Sequence, residues 1–283
     1  MNVAQEEHPI APYLRMDRMP HMWCPSCGIG IVLKCFATAL EKTKMDLDKV
    51  SVVSGIGCTG RTAGYVRLDS FHTTHGRAIP FATGLKLARP DLKVVVFSGD
   101  GDLLAIGGNH FIHAAKRNMD LTVILVNNFI YGMTGGQLAP TTPTSANTST
   151  TPYGNFETPF SVPKLAEACG ATYVARWTCL DVRRVTRAMQ DALQRKGFSI
   201  VEVIAPCPVL YARRNKLGAG LEMLQYYKEK CEICHEAGTE NLEIAFQDKI
   251  PVGKFVDKPR PTFQESMHEW YRSRLGDKYK TIE

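Results

Sequence analysis

Apolar residues along this chain fall into short runs separated by longer periodic stretches. Val50–Ser54, Val94–Phe97, Leu121–Val126, Tyr173–Trp177 and Phe198–Ile204 are runs of four to seven residues, rich in β-branched and aromatic types and with no polar alternation. Such runs predict strands buried on both faces, as in a parallel sheet. Between them, helical spacing marks Ile29–Leu40, Arg77–Ala88, Ile106–Lys116, Pro163–Cys169 and Asp181–Gln194. Strand and helix alternate, so the expected architecture is α/β, a doubly wound, mostly parallel sheet with right-handed crossovers. The first 22 residues contain three prolines and no periodicity, and predict an extended arm lying on a partner or on the rest of the fold. From Tyr131 to Pro163 the chain is loop, dominated by Thr, Pro, Gly, Ser and Asn. A loop of that length is functional or disordered, and its place directly after an Asn pair predicts an active-site cover. After Leu217 a charged helix is expected to run through Cys231 and Cys234, followed by a polar tail from about Asn241 that packs on another subunit. The expected divisions are 1–22, 23–217 and 218–283.

Two of the predicted strands end in residues suited to a charged ligand. Val94–Phe97 runs into Ser98-Gly99-Asp100-Gly101-Asp102, and Leu121–Val126 into Asn127-Asn128. Ligands of open α/β sheets bind at the carboxyl ends of neighbouring strands. Asp100 and Asn128 offer hard oxygens to a magnesium ion, which keeps few protein ligands and fills its octahedron with water or phosphate oxygens. The expected occupant is therefore a magnesium-bound diphosphate.

Composition narrows the setting. The 283 residues are 44% hydrophobic and 22% charged, enough for one large α/β domain with extensions. A formal charge of +6 is too weak to argue for nucleic acid, but it suits an acidic protein partner or a phosphorylated substrate. No signal peptide or membrane-spanning run is visible, which predicts a cytoplasmic protein. Its nine cysteines then point to metal, catalysis or packing rather than disulfides. Cys24 and Cys27 form a CxxC, and Cys58 and Cys207 each end a predicted strand, so the topology can gather four thiolates for zinc or a 4Fe-4S cluster. Cys231 and Cys234 form a second CxxC, which leaves open a site built from both pairs. Cys35, Cys169 and Cys179 lie in apolar contexts that predict packing.

Gly99-Asp100-Gly101 followed by Asn127-Asn128 resembles the thiamine diphosphate motif. Together with CPSCG near the amino terminus, GIGCTGR and the late APCP, it resembles the β subunit of the 2-oxoacid:ferredoxin oxidoreductases, over about Trp23 to Leu217. The resemblance implies magnesium held by Asp100, Asn128 and the carbonyl of Ile130. It implies one 4Fe-4S cluster on Cys24, Cys27, Cys58 and Cys207. It also implies thiamine diphosphate against Ile56, Gly57, Cys58, Thr59, His75, Gly101, Asp102, Gly132 and Met133. The implied reaction is oxidative decarboxylation of a 2-oxoacid with coenzyme A, the electrons leaving singly to ferredoxin. In such enzymes a glutamate from a second, pyrimidine-binding domain completes the site. Only one sheet domain is visible here, so the expected assembly includes an α subunit, as a heterodimer or a dimer of heterodimers. Arg61, three residues past Cys58, is a candidate for binding a second substrate carboxylate, which favours 2-oxoglutarate over pyruvate. The rival reading is a non-redox thiamine diphosphate decarboxylase or synthase component with structural zinc.

Overall fold

The computed structural model describes residues 8–235 and 237–280; the first seven residues of the expected arm, Glu236 within the expected charged helix, and the last three residues lie outside them. The strands are β1 (Val50–Ser54), β2 (Asp69–His72), β3 (Lys93–Gly99), β4 (Leu121–Asn127), a small hairpin of β5 (Ile130–Tyr131) and β6 (Gln137–Leu138), then β7 (Tyr173–Thr178), β8 (Ser199–Ile204), β9 (Cys231–Ile233) and β10 (Ile250–Asp257). The helices are α1 (Ile29–Thr43), α2 (Ala78–Ala88), α3 (Gly108–Lys116), α4 (Val162–Ala168), α5 (Val182–Gln194), α6 (Leu221–Lys230) and α7 (Phe263–Leu275). Eight strands form one sheet in the order β2-β1-β3-β4-β8-β7-β10-β9, parallel from β2 to β7, with β10 antiparallel to β7.

Every residue of β1, β4, β7 and β8 is buried because helices cover both faces. Alternate side chains divide the core accordingly. Val95 and Phe97 join the face carrying α1, α5 and α6, whereas Val94 and Val96 join the face of α2, α3 and α4. The register sets Gly99 opposite Val126 and Ser54 opposite Phe97. Gly55, Asp100 and the Asn pair therefore emerge at one edge, where β1, β3 and β4 end.

The arm lies on this same chain from Tyr13 onward. Arg15 N donates to Tyr65 O at 2.8 Å, Arg67 N donates to Tyr13 O at 2.9 Å, and Arg18 caps the carbonyl of Gly64 at 2.9 Å.

The carboxyl-terminal part differs most from expectation. Part of the expected extension joins the sheet: β10 pairs with β7 and β9 pairs with β10. The charged helix ends at Lys230, and Cys231 opens a strand, so Cys231 and Cys234 are not helical. The long polar loop is not irregular throughout, since it begins in the β5–β6 hairpin.

Candidate cofactor site

A cavity of about 290 Å3 opens at the edge where β1, β3 and β4 end. It is lined by all twelve residues expected around the diphosphate and its metal: Ile56, Gly57, Cys58, Thr59, His75, Asp100, Gly101, Asp102, Asn128, Ile130, Gly132 and Met133. Gly99, Tyr131 and Thr134 complete the lining. The spacing of the motifs in the sequence thus becomes a single wall.

Local backbone geometry explains the shape. Gly57 has φ +118° and would meet nothing within 4 Å if it carried a Cβ, so its backbone is bare toward the cavity. Asn127 and Asn128 each accept a hydrogen bond from the N–H two residues on, Phe129 N and Ile130 N, both at 3.2 Å. These Asx turns, with Phe129 at φ +63°, fold the chain back so that Ile130 faces the cavity. Gly101 lies under the ring of Tyr131, where a Cβ would fall 2.3 Å from Cε1, and the Tyr131 hydroxyl donates to Gly101 O at 3.2 Å.

Asp100 is 2% exposed. Burial pushes its carboxyl up to about 7, opposed by hydrogen bonds from Thr141 and backbone N–H groups, and the nearby Glu202 raises it further. A buried carboxyl with another acid close by is the electrostatic setting of a cation site, so Asp100, Asn128 and the Ile130 carbonyl fit a hard divalent ion.

Several residues behind this wall carry no sequence signal. Thr141 Oγ1 stands 2.6 Å from Asp100 Oδ2 and 2.9 Å from Asn127 Oδ1, and its single proton goes to one of the two. Asn127 Nδ2 donates to Glu202 at 2.8 Å, and Glu202 pairs with the fully buried Arg176 at 2.6 Å. Arg176 reaches on to the carbonyl of Leu242 at 2.8 Å. Glu202 and Arg176 sit mid-strand in apolar runs, so only the parallel register of β8 against β7, with Arg176 opposite Glu202, reveals the pair.

The cysteines divide into two groups. Cys27 is half-buried and its thiol is pushed up to about 12, first by desolvation and then by the proximity of Cys207, Cys58 and Cys24. Cys58 is raised by burial first, then by Cys207 and Cys24. These four belong together. Cys231 lies elsewhere, with Sγ 3.8 Å from Asp181 Oδ2, so the structure does not join the two CxxC pairs in one site. Cys35 and Cys179 are buried, while Cys169 is partly buried against the core. A Cβ built on Gly132 would be 3.8 Å from Cys58 Sγ, 3.8 Å from Cys207 Sγ and 3.6 Å from Asn128 Nδ2. Gly132 therefore sits between the cofactor cavity and the cysteine group, and Cys58 belongs to both. Arg61 is exposed on the turn after Cys58 and does not line the cavity.

Sheet and cavity define a thiamine pyrophosphate-binding domain, and the family described as "Thiamine pyrophosphate enzyme, C-terminal TPP binding domain" matches residues 55–203. The 2-oxoglutarate synthase subunit KorB of Methanocaldococcus jannaschii is 49% identical over 93% of this chain and 97% of its own length. That of Archaeoglobus fulgidus is 58% identical over 70% of this chain and 74% of its own length. A solved structure of 2-oxoglutarate:ferredoxin oxidoreductase from Magnetococcus marinus, with 2-oxoglutarate, coenzyme A and succinyl-CoA bound, superposes with a TM-score of 0.83 at 32% identity, over 97% of this chain and 93% of that one. The chain belongs to the family of 2-oxoacid:ferredoxin oxidoreductase β subunits.

Proposed function

We propose that this chain is the thiamine diphosphate- and cluster-binding subunit of a 2-oxoglutarate:ferredoxin oxidoreductase, which converts 2-oxoglutarate and coenzyme A to succinyl-CoA and carbon dioxide. The carrying observation is Gly132, whose backbone is shared by the cofactor cavity and the cysteine group. Thiamine diphosphate supplies a cationic ring that accepts the electron pair released as carbon dioxide leaves, and a 4Fe-4S cluster supplies a one-electron acceptor beside it.

The chain's own residues do the holding. Asp100, Asn128 and the Ile130 carbonyl carry magnesium against the diphosphate, while Gly57 and Gly101 let the backbone approach it. Ile56 and Met133, 39% and 41% exposed, form the apolar rim that keeps water from the reacting carbon. Cys24, Cys27, Cys58 and Cys207 hold the cluster. Four thiolates suit zinc or a 4Fe-4S cluster, and the cluster is the reading that gives the electrons of the 2-oxoacid reaction an acceptor.

Asp100 and Asp102 are the acids of the cavity, and no glutamate lines it among the described residues. The family resemblance assigns the glutamate that activates the cofactor to an α subunit, which closes the open side of the site. Ferredoxin takes the electrons. The choice of 2-oxoglutarate rests on the relatives named for that substrate, not on Arg61.

The test is anaerobic co-purification with the α subunit. Visible absorbance bleached by dithionite and viologen reduction dependent on 2-oxoglutarate and coenzyme A are expected. A colourless protein carrying stoichiometric zinc overturns the reading.

A further inference from the structure

Asp102 is 3% exposed although it lies on the cavity wall. Its carboxylate is occupied by this chain. Oδ1 accepts from Ile56 N at 3.1 Å and Gly76 N at 2.7 Å, and His75 Nδ1 stands 2.8 Å from it. Oδ2 accepts the hydroxyl of Ser98 in a short contact. These partners come from three segments: the turn after β1, the turn after β2 and the end of β3. The fit is tight, since a Cβ on Gly55 would lie 1.8 Å from Oδ2. An ionised carboxylate offers about four lone-pair directions. Three donors, with His75 Nδ1 against Oδ1 and Gly55 packed on Oδ2, close Asp102 off from a ligand.

His75 is arranged the opposite way. Its Nδ1 is shielded from solvent and has no well-aligned hydrogen-bond partner, so its near neighbour Asp102 Oδ1 decides its state. A bare Nδ1 lone pair facing a carboxylate oxygen is repelled, so Nδ1 carries the proton and Nε2 is the free nitrogen. The ring is 36% exposed, lines the cavity and meets Tyr131 edge-on at 6.2 Å between centroids. Its accessible edge is the one bearing Nε2.

The structure assigns Asp102 as a positioning residue that acts through His75, and His75 Nε2 as the atom at which this chain takes up and returns a proton inside the cofactor cavity. The assignment rests on the thiamine-dependent reading above, and departs from the expectation that Asp102 touches the cofactor. In the step, the thiol of coenzyme A loses its proton in the cavity: the S–H bond breaks, the Nε2–H bond forms and the sulfur keeps the electron pair. No electron leaves or enters the protein in this step. Asp102 offsets the charge of the imidazolium.

The experiment is a double-mutant cycle in the complex with the α subunit, read as kcat and as thiamine diphosphate affinity. Asp102→Asn keeps an oxygen for Ile56 N and Gly76 N but removes the charge. It is expected to lower kcat by about 10²-fold, the scale of general acid–base catalysis. Cofactor affinity and melting temperature should hold. In a His75→Ala background the same substitution should add no more than about 2-fold, the scatter of independent sites. Equal losses of kcat in both backgrounds would assign Asp102 a scaffold role only. A weakened cofactor affinity in both would make it a direct contact. Either result overturns the assignment. Nitrogen-15 shifts of His75 in the unsubstituted protein need no variant: a bare Nε2 that moves when thiamine diphosphate is added agrees with the assignment, and an Nε2–H tautomer refutes it. If the unsubstituted complex neither binds thiamine diphosphate nor oxidises 2-oxoglutarate, the thiamine-dependent reading fails before the cycle begins.

Discussion

At Asp100 the chain sets a carboxyl where burial works against its charge, and at Asp102, two residues on, it sets another that three donors and the His75 ring hold in place. The sequence distinguishes the first but not the second. Asp100 sits in a spaced pattern, GDG then NN, each at the end of an apolar run, and that pattern has a chemical reason. Asp102 owes its role to Gly55, Ile56 and Gly76, which are distant in sequence and reach it only through the sheet order. Thr141, Glu202 and Arg176 were hidden for the same reason. Arg61 shows the converse, because a cation three residues from Cys58 reads as a substrate contact, whereas the turn after Cys58 leaves it exposed and outside the cavity lining. Arg61→Ala decides its role: if Arg61 binds the second carboxylate from the open side of the site, the ratio of kcat/KM for 2-oxoglutarate over pyruvate falls at least about 10-fold, as expected for loss of a charge-assisted hydrogen bond. An unchanged ratio removes Arg61 from substrate recognition.

Elements whose burial is set by their own residues were legible. β1 follows the predicted run from Val50 to Ser54, and β3, β4, β7 and β8 depart from theirs by one or two residues at an end. Elements that exist through pairing were not. β2 is exposed along its whole length and joins the sheet edge by pairing with β1, helped by the Ser54–His72 side-chain contact at 2.9 Å. β10 contains Pro251 and Gly253 and changes register between Lys254 and Val256, which masks its alternation. The π-helical turn Gly101–Ile106 ahead of α3 likewise has no counterpart in a 3.6-residue pattern. α7 carries a readable start signal, Thr262 with Glu265 three residues on, and the structure forms the full capping box: Glu265 N donates to Thr262 Oγ1 at 3.2 Å and Thr262 N donates to Glu265 Oε2 at 2.9 Å. Thr262→Ala should cost about 1 kcal/mol in urea unfolding. The Lys196 ammonium and the Thr262 N–H hold the Glu265 carboxyl down at about 2. Because the folded value is depressed, its contribution is full above the unfolded carboxylate range and is lost as pH falls through about 2. The unfolding midpoint should therefore decline less between pH 5 and pH 2 in Glu265→Gln than in the unsubstituted protein, and an identical decline would disprove the link.

Taken whole, the molecule carries 34 basic and 28 acidic residues, but the imbalance is not spread evenly. The three segments that bring Cys24, Cys27, Cys58 and Cys207 together, 15–30, 55–68 and 205–217, hold Arg15, Arg18, Arg61, Arg67, Arg213, Arg214 and Lys216 against the single acid Asp17. All of these cations except Arg15 are exposed, as is Cys24. A basic collar thus surrounds the point where electrons leave under the proposed function. Such a collar steers an acidic carrier, raising the encounter rate in a way that salt screens. Arg213 and Arg214 lie one short helical turn past Cys207 and are not among the residues lining the cavity, so reversing them tests docking apart from chemistry. In the α-subunit complex, Arg213→Glu with Arg214→Glu should raise KM for an acidic ferredoxin about 10-fold or more, on the scale expected when like charges meet at an interface. Viologen reduction, which needs no docked protein, should stay within about 2-fold. In the unsubstituted enzyme the same KM should climb steeply as ionic strength passes about 0.1 M, where the screening length shortens to about 10 Å. A ferredoxin KM indifferent to both salt and charge reversal would put the electron exit on another face, and the basic collar would then serve the α subunit or solubility.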